Sequence, residues 1–176
     1  QMITKSNAPD RDLLDAIARE DKHSQKAADF GLPPSVKVKD EIASAWASAK
    51  TLWATYQSRV NKLAESNSGT SETRNLFILP LLSLIGYEPE NANAETLNGK
   101  SYAISHRDKS RDGFPIHIMG WRDSLERKRT SGGPRMSSHA LVQEYINLTE
   151  HLYALVTNGQ QLRLLRDSSR LIKLSY

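Results

Sequence analysis

The chain has 176 residues, long enough for one domain with a sizeable core or for a domain with a helical extension. Hydrophobic residues make up 38 % and the mean hydropathy is −0.56, and the longest apolar run, Leu76 to Ile85, is interrupted by Pro80, so no stretch has membrane-spanning character. With no cysteine, disulfides and zinc–thiolate centres are excluded, and the absence of a basic start followed by an apolar block argues against a secretory leader; a cytoplasmic location is expected.

Formal charge is +4 and the sequence pI is about 9.3, but the surplus is uneven. Between Lys100 and Arg135 nine Lys and Arg face four Asp and Glu. Such local excess suits a phosphate backbone, whose binding is driven by counterion release, and equally suits a solvated charged loop.

Taken in chain order, residues 10–28 form an amphipathic helix through Leu13, Leu14 and Ile17, stopped by Gly31-Leu-Pro-Pro. A longer helix is expected from Lys39 to Glu65, with Ile42, Trp46, Trp53, Tyr56 and Val60 along one face and Asp40 and Glu41 complementing its N-terminal dipole. At this spacing Trp46, Trp53 and Tyr56 suit packing better than base stacking. Asn67-Ser-Gly-Thr is a break. A third helix begins at Ser71, is expected to kink at Pro80, and ends at Gly86. Glu88 to Asn98 is acidic and Asn-rich and is expected to be loop. Tyr102 to His106 and Phe114 to Met119 have strand character, joined by a charged turn from Arg107 to Gly113. A basic loop, Glu126 to Pro134, precedes a helix capped by Ser137 or Ser138 with its apolar stripe at Leu141, Tyr145, Leu148 and Leu152. Ala154-Leu-Val-Thr, the two-residue hairpin signal Asn158-Gly159 and Leu162 to Arg166 form a strand pair, and a last strand is possible at Leu171 to Leu174. The sequence thus implies an α/β (α+β) chain: a helical lead-in over residues 1–66 and a mixed sheet flanked by helices over residues 70–176.

The helix–strand–Asn-Gly–strand unit carries a resemblance. Gln143, Tyr145, Thr157, Asn158, Gly159, Arg163 and Leu164, with the upstream Glu72-Thr-Arg-Asn-Leu-Phe-Ile-Leu-Pro helix, resemble the nuclease-like, PD-(D/E)XK-type N-terminal region of type IIG restriction–modification enzymes and of DISARM-like phage-defence adenine methyltransferases. That resemblance implies a restriction-endonuclease-like fold, double-stranded DNA and other defence subunits as partners, S-adenosylmethionine as cofactor of the parent protein, and magnesium only where the nuclease site is alive. It also implies that the chain is part of a longer protein, since neither a Gly-rich S-adenosylmethionine loop nor an Asn-Pro-Pro-Tyr-like tetrapeptide occurs here.

In the resembled family, metal-dependent hydrolysis uses Asp on the first core strand and Glu-x-Lys on the second. Here Tyr102-Ala-Ile-Ser contains no carboxylate, and Ile116-His-Ile-Met-Gly-Trp-Arg replaces the Glu-x-Lys. Asp108, Asp112 and Asp123, all expected in loops, and Glu72 on the opening helix are the weak substitutes. His106, His117 and His139 lie on separate elements without metal-ligand spacing. The sequence therefore points to a non-catalytic DNA-binding or partner-docking domain. The residues expected to meet phosphate are Arg107, Lys109, Arg111, Arg122, Arg127, Lys128, Arg129 and Arg135. The alternatives are a magnesium nuclease using Asp112, Asp123 and Glu72, and a pure interaction module built on the helical lead-in.

Overall fold

A computed structural model describes residues 26–128 and 136–169, together with Asp15 and Arg19. The helix expected over residues 10–28 and the strand expected over 171–174 fall almost wholly or wholly outside them. The chain clusters into two compact units, residues 1–47 and 48–176. Their boundary falls inside helix α1 (Val38–Val60), which ends five residues short of the expected Glu65.

The second half of α1 belongs to the sheet domain because its aromatic residues pack there. Tyr56 stacks on Phe77 at 5.1 Å between ring centroids and meets Trp121 edge-on at 5.5 Å, and Trp53 touches both partners. The packing expected of Trp53 and Tyr56 is observed. Trp46, in the first unit, is instead 65 % exposed.

Helix α2 is continuous but not uniform: Thr70–Glu72 and Leu79–Leu84 are α-helical, and Thr73–Ile78 between them is π-helical. The expected kink at Pro80 is thus a widened turn just before the proline. Pro80 has no N–H for the carbonyl four residues earlier and its ring crowds that carbonyl, so the helix accommodates an extra residue there. Gly86 ends the helix at φ 90°, with the Tyr87 amide reaching back to the Leu82 carbonyl at 2.9 Å.

Five strands form the main sheet, in the order β1 (Pro89–Asn91), β4 (His106–Asp108), β5 (Phe114–Ile118), β6 (Tyr153–Thr157), β7 (Leu162–Arg166). The β1–β4–β5 meander is antiparallel, β5 and β6 are parallel, and β7 returns antiparallel. The parallel pair is bridged by helix α3 (Ser138–Leu148), whose N-cap is Ser137, its hydroxyl accepting from the Ala140 amide at 3.2 Å. Helix α2 covers one sheet face, where Ile78 and Leu82 meet Ile116, Ile118 and Leu155. Helix α3 covers the other, where Leu141, Val142, Tyr145 and Ile146 meet Met119, Ala154, Val156 and Leu165. The expected stripe stops at Tyr145: Leu148, the last helical residue, and Leu152, beyond it, are exposed. Burial on both faces explains the continuous apolar run of β6.

The acidic stretch expected to be loop holds two strands. β1 lies at the sheet edge, where Pro89 costs no ladder bond. β2 (Glu95–Leu97) pairs with β3 (Lys100–Tyr102) as a separate two-stranded ribbon, so the segment expected as one strand, Tyr102 to His106, is split between ribbon and sheet. The ribbon turns at Asn98-Gly99, with φ of 51° and 77°, as a two-residue turn of this hand requires. Asn158-Gly159 does not form such a turn. Thr157 pairs with Leu162 across four connecting residues, and only Gly159 has positive φ.

Candidate functional site

The segments before α2 and after β5 are interlocked. A Cβ on Gly120 would stand 2.4 Å from the Ser68 carbonyl oxygen, so only glycine allows this approach, and the Arg122 amide donates to the same oxygen at 3.0 Å. The Gly120 amide donates to Asp123 Oδ2 at 2.8 Å. Between these segments and the first turn of α3 lies a groove of about 820 Å³, at the C-terminal end of β5.

Among the described residues four cationic side chains, Arg74, Arg122, Arg127 and Lys128, line this groove against one carboxylate, Asp123. Arg74 is oriented from α2 by two bonds, Nε and Nη2 donating to the Ile118 carbonyl at 3.1 and 2.9 Å. Arg122 donates to the carbonyls of Asn67 and Leu63 at 2.8 and 3.2 Å. A neutral carbonyl fixes a guanidinium without cancelling its charge, so the Arg122 cation still acts on the groove. Arg127 and Lys128 are exposed. His117 lines the groove too; its Nδ1 accepts from the Ser105 amide at 3.1 Å, which in the neutral ring puts the proton on Nε2. Ser138, at the positive end of α3, completes one wall.

The eight residues expected to contact DNA do not share one surface. Arg122, Arg127 and Lys128 follow β5 and line the groove. Lys109 and Arg111 precede β5 and stand at its other end, five strand residues away. There Arg111 is stacked over Tyr87 at 4.0 Å and donates to the Gly86 carbonyl at 3.0 Å. Arg107 is ion-paired with Glu90 at 2.8 Å and lines a different cavity. Arg129 and Arg135 lie outside the described residues. Arg74 was not foreseen, because it lies upstream of the basic window and meets the groove only through the packing of α2 on β5.

The carboxylates tell a similar story. Asp108 is on strand β4 rather than in a loop, and it is fully buried. Its Oδ1 accepts from the Ser110 amide and hydroxyl at 2.8 and 2.7 Å, and its Oδ2 from the Glu88 amide at 3.0 Å and Arg111 at 3.4 Å. Burial pushes its carboxyl up, but the Ser110 and Glu88 bonds and the Arg111 charge outweigh that and hold it below the usual range. Asp112 is exposed at a left-handed position, Asp123 caps Gly120, and Glu72 is half-buried at the start of α2. Among the described residues no three His, Asp or Glu converge to hold a cation. The residues present therefore do not fit a magnesium centre of the Asp plus Glu-x-Lys kind: the Asp108 carboxylate on β4 has its oxygens engaged, and β5 offers Ile116, His117 and Ile118.

The histidines are held apart by strand alternation. His106 is opposite Ile116 and shares its α2-facing side, whereas His117 alternates to the α3 side. Burial, then the Arg74 charge, pushes the His106 imidazole down to about 4. His139 meets Arg163 at 3.1 Å.

Of the residues that carried the resemblance, Leu164 is exposed, and Gln143, Asn158, Gly159 and Arg163 join elements of the domain. Asn158 accepts from the Gln160 and Gln161 amides at 3.0 and 2.8 Å and donates to the Asp123 carbonyl at 2.8 Å. Gly159 abuts the Tyr56 hydroxyl, which is bonded to Thr73 Oγ1 at 2.8 Å. Gln143 donates to the Arg166 carbonyl at 2.9 Å, and Arg163 pairs with Glu126 at 2.9 Å. Thr157-Asn-Gly thus ties the β6–β7 connection to α1, α2 and the groove loop. No family model, no curated protein and no solved structure matches the chain. No helix among the described residues is long and apolar enough to cross a membrane.

Proposed function

We propose that residues 48–176 form a nuclease-like but non-catalytic domain that grips the backbone of double-stranded DNA in the groove at the C-terminal end of β5. The observation that carries this reading is the cationic lining, among the described residues four positive side chains against Asp123, with Arg122 held by the neutral carbonyls of Asn67 and Leu63. Clustered Arg and Lys at such a groove displace counterions from phosphate, and a helix N-terminus adds a donor-rich edge. A mixed sheet with a helix on each face accords with the restriction-endonuclease-like architecture of the resemblance, and the engaged Asp108 accords with loss of hydrolysis. Membership in a restriction–modification or phage-defence adenine methyltransferase rests on the resemblance alone, and S-adenosylmethionine belongs to the remainder of such a protein.

The test is a salt titration of duplex binding by the whole chain and by Arg127→Glu/Lys128→Glu. Each phosphate contact contributes about 0.9 to the slope of log affinity against log salt. Losing two contacts lowers the slope by about 2 and weakens binding most at low salt. Affinity unchanged by the double reversal at every salt concentration ends the assignment.

A further inference from the structure

A second cavity, of about 380 Å³, lies between the β2–β3 ribbon, the β1–β4–β5 meander and the end of α3. Its chemistry is opposite to that of the groove. Tyr145, only 5 % exposed, packs between Tyr102 and His151, with ring centroids 6.0 and 6.1 Å away. Ile104 and Pro115 add apolar surface. Two exposed carboxylates, Glu95 and Asp112, stand at the rim. Arg107 also lines the cavity; it is ion-paired with Glu90 at 2.8 Å, and its charge still reaches Tyr145. Burial first, then the Glu95 charge and the hydrogen bond to that carboxylate, pushes the Tyr145 phenol up to about 12, so the ring stays protonated and neutral.

We propose that this cavity binds a side-chain-sized organic cation, an alkylammonium or alkylguanidinium group, whose charge meets Glu95 and Asp112 and whose stem lies against Tyr102, Tyr145 and His151. Electron-rich aromatic surface and a nearby carboxylate both attract a weakly hydrated cation, and an alkyl stem suits the apolar wall. Cavities of this size are within the range that takes small ligands. A phosphate-bearing ligand is disfavoured by the same two carboxylates, so the site is independent of the groove and of the DNA reading. The cation has two chemical sources, a free polyamine or a Lys or Arg side chain of a peptide.

The test titrates the whole chain with n-butylguanidinium and n-butylammonium, following the His151 and Tyr145 ring resonances. Butyrate and 1-butanol are the matched anion and neutral probe. Saturable shifts with a Kd on the order of 1 mM are expected for the cations alone. Glu95→Gln and Asp112→Asn each weaken binding by up to about fivefold, the worth of an exposed charge pair. Both positions are exposed, and Asn tolerates the left-handed conformation of residue 112, so the fold is retained. Spermidine and Nα-acetyl-arginine amide then separate the sources: binding of spermidine alone assigns a free polyamine, and binding of the capped amino acid assigns a basic side chain. Butanol or butyrate binding as tightly as the cations, no saturable shift with any cation, or full affinity in the Glu95→Gln/Asp112→Asn double variant overturns the proposal.

Discussion

The same dipeptide, Asn-Gly, occurs at residues 98–99 and 158–159, and the two copies do different work. At Asn98-Gly99 both residues have positive φ, and nothing stands within 4 Å of where a Gly99 Cβ would be, so local backbone geometry alone selects the pair. At Asn158-Gly159 the asparagine is buried and not left-handed, its amide spans three backbone partners, and the glycine is required because the Tyr56 hydroxyl lies 2.4 Å from a Cβ position. A turn dipeptide therefore reports hairpin chemistry only where the tip is solvated. Where it is packed, its residue types answer to its neighbours.

Substitution sharpens that contrast. Gly159→Ala combines a left-handed alanine with a clash against Tyr56 and Thr73, and should cost about 2–5 kcal/mol in chemical denaturation. Adding Tyr56→Phe removes the obstructing oxygen, so the double variant should be less destabilised than the sum of the singles; strict additivity would show that the contact is not the cause. Asn158→Ala leaves the Gln160 and Gln161 amides and the Asp123 carbonyl without their partner and should cost about 2–3 kcal/mol. Gly99→Ala carries only the backbone penalty, about 1–2 kcal/mol, and a cost equal to that of Gly159→Ala would break the comparison.

A third turn, Asp112-Gly113, offers the mildest test. It is fastened by hydrogen bonds rather than by packing: the Ser110 amide and hydroxyl donate to the Asp108 carboxylate, and the Gly113 amide to the Asp108 backbone carbonyl. A carboxyl held below its usual value stabilises the fold at pH above about 4, its unfolded value, and that contribution fades as pH falls through the lower folded value. Thermal scans should show an acid-side loss of stability that is smaller in Asp108→Asn. An identical acid profile in that variant would remove Asp108 from the account.

Much of the architecture was legible because it is local. The Ser137 cap, the Leu141–Tyr145 half of the α3 stripe, the buried run of β6 and the Gly86 stop each follow from a few adjacent residues. The short strands β1, β2 and β3 were not, since three residues with a single apolar side chain among them, at an edge or in a ribbon, carry no hydrophobic period. The site was legible only in part. Arg122, Arg127 and Lys128 follow one another in sequence and stayed together, but Arg74 joins them through a helix–sheet contact across 44 residues. Lys109 and Arg111 are near them in sequence yet separated by a whole strand, because an extended segment carries its ends apart at about 3.3 Å per residue.

The widened turn of α2 has a further consequence. Each helical residue advances about 100° around the axis, so one additional residue between Thr73 and Pro80 rotates everything before it relative to everything after. That offset lets Thr73 reach Tyr56 and Arg74 reach Ile118, while Ile78 and Leu82 keep facing the sheet. Deleting a single residue from this span would restore a regular helix and swing the upstream anchors out of phase with their partners. The proline, at the start of the α-helical turns that follow, upholds that timing.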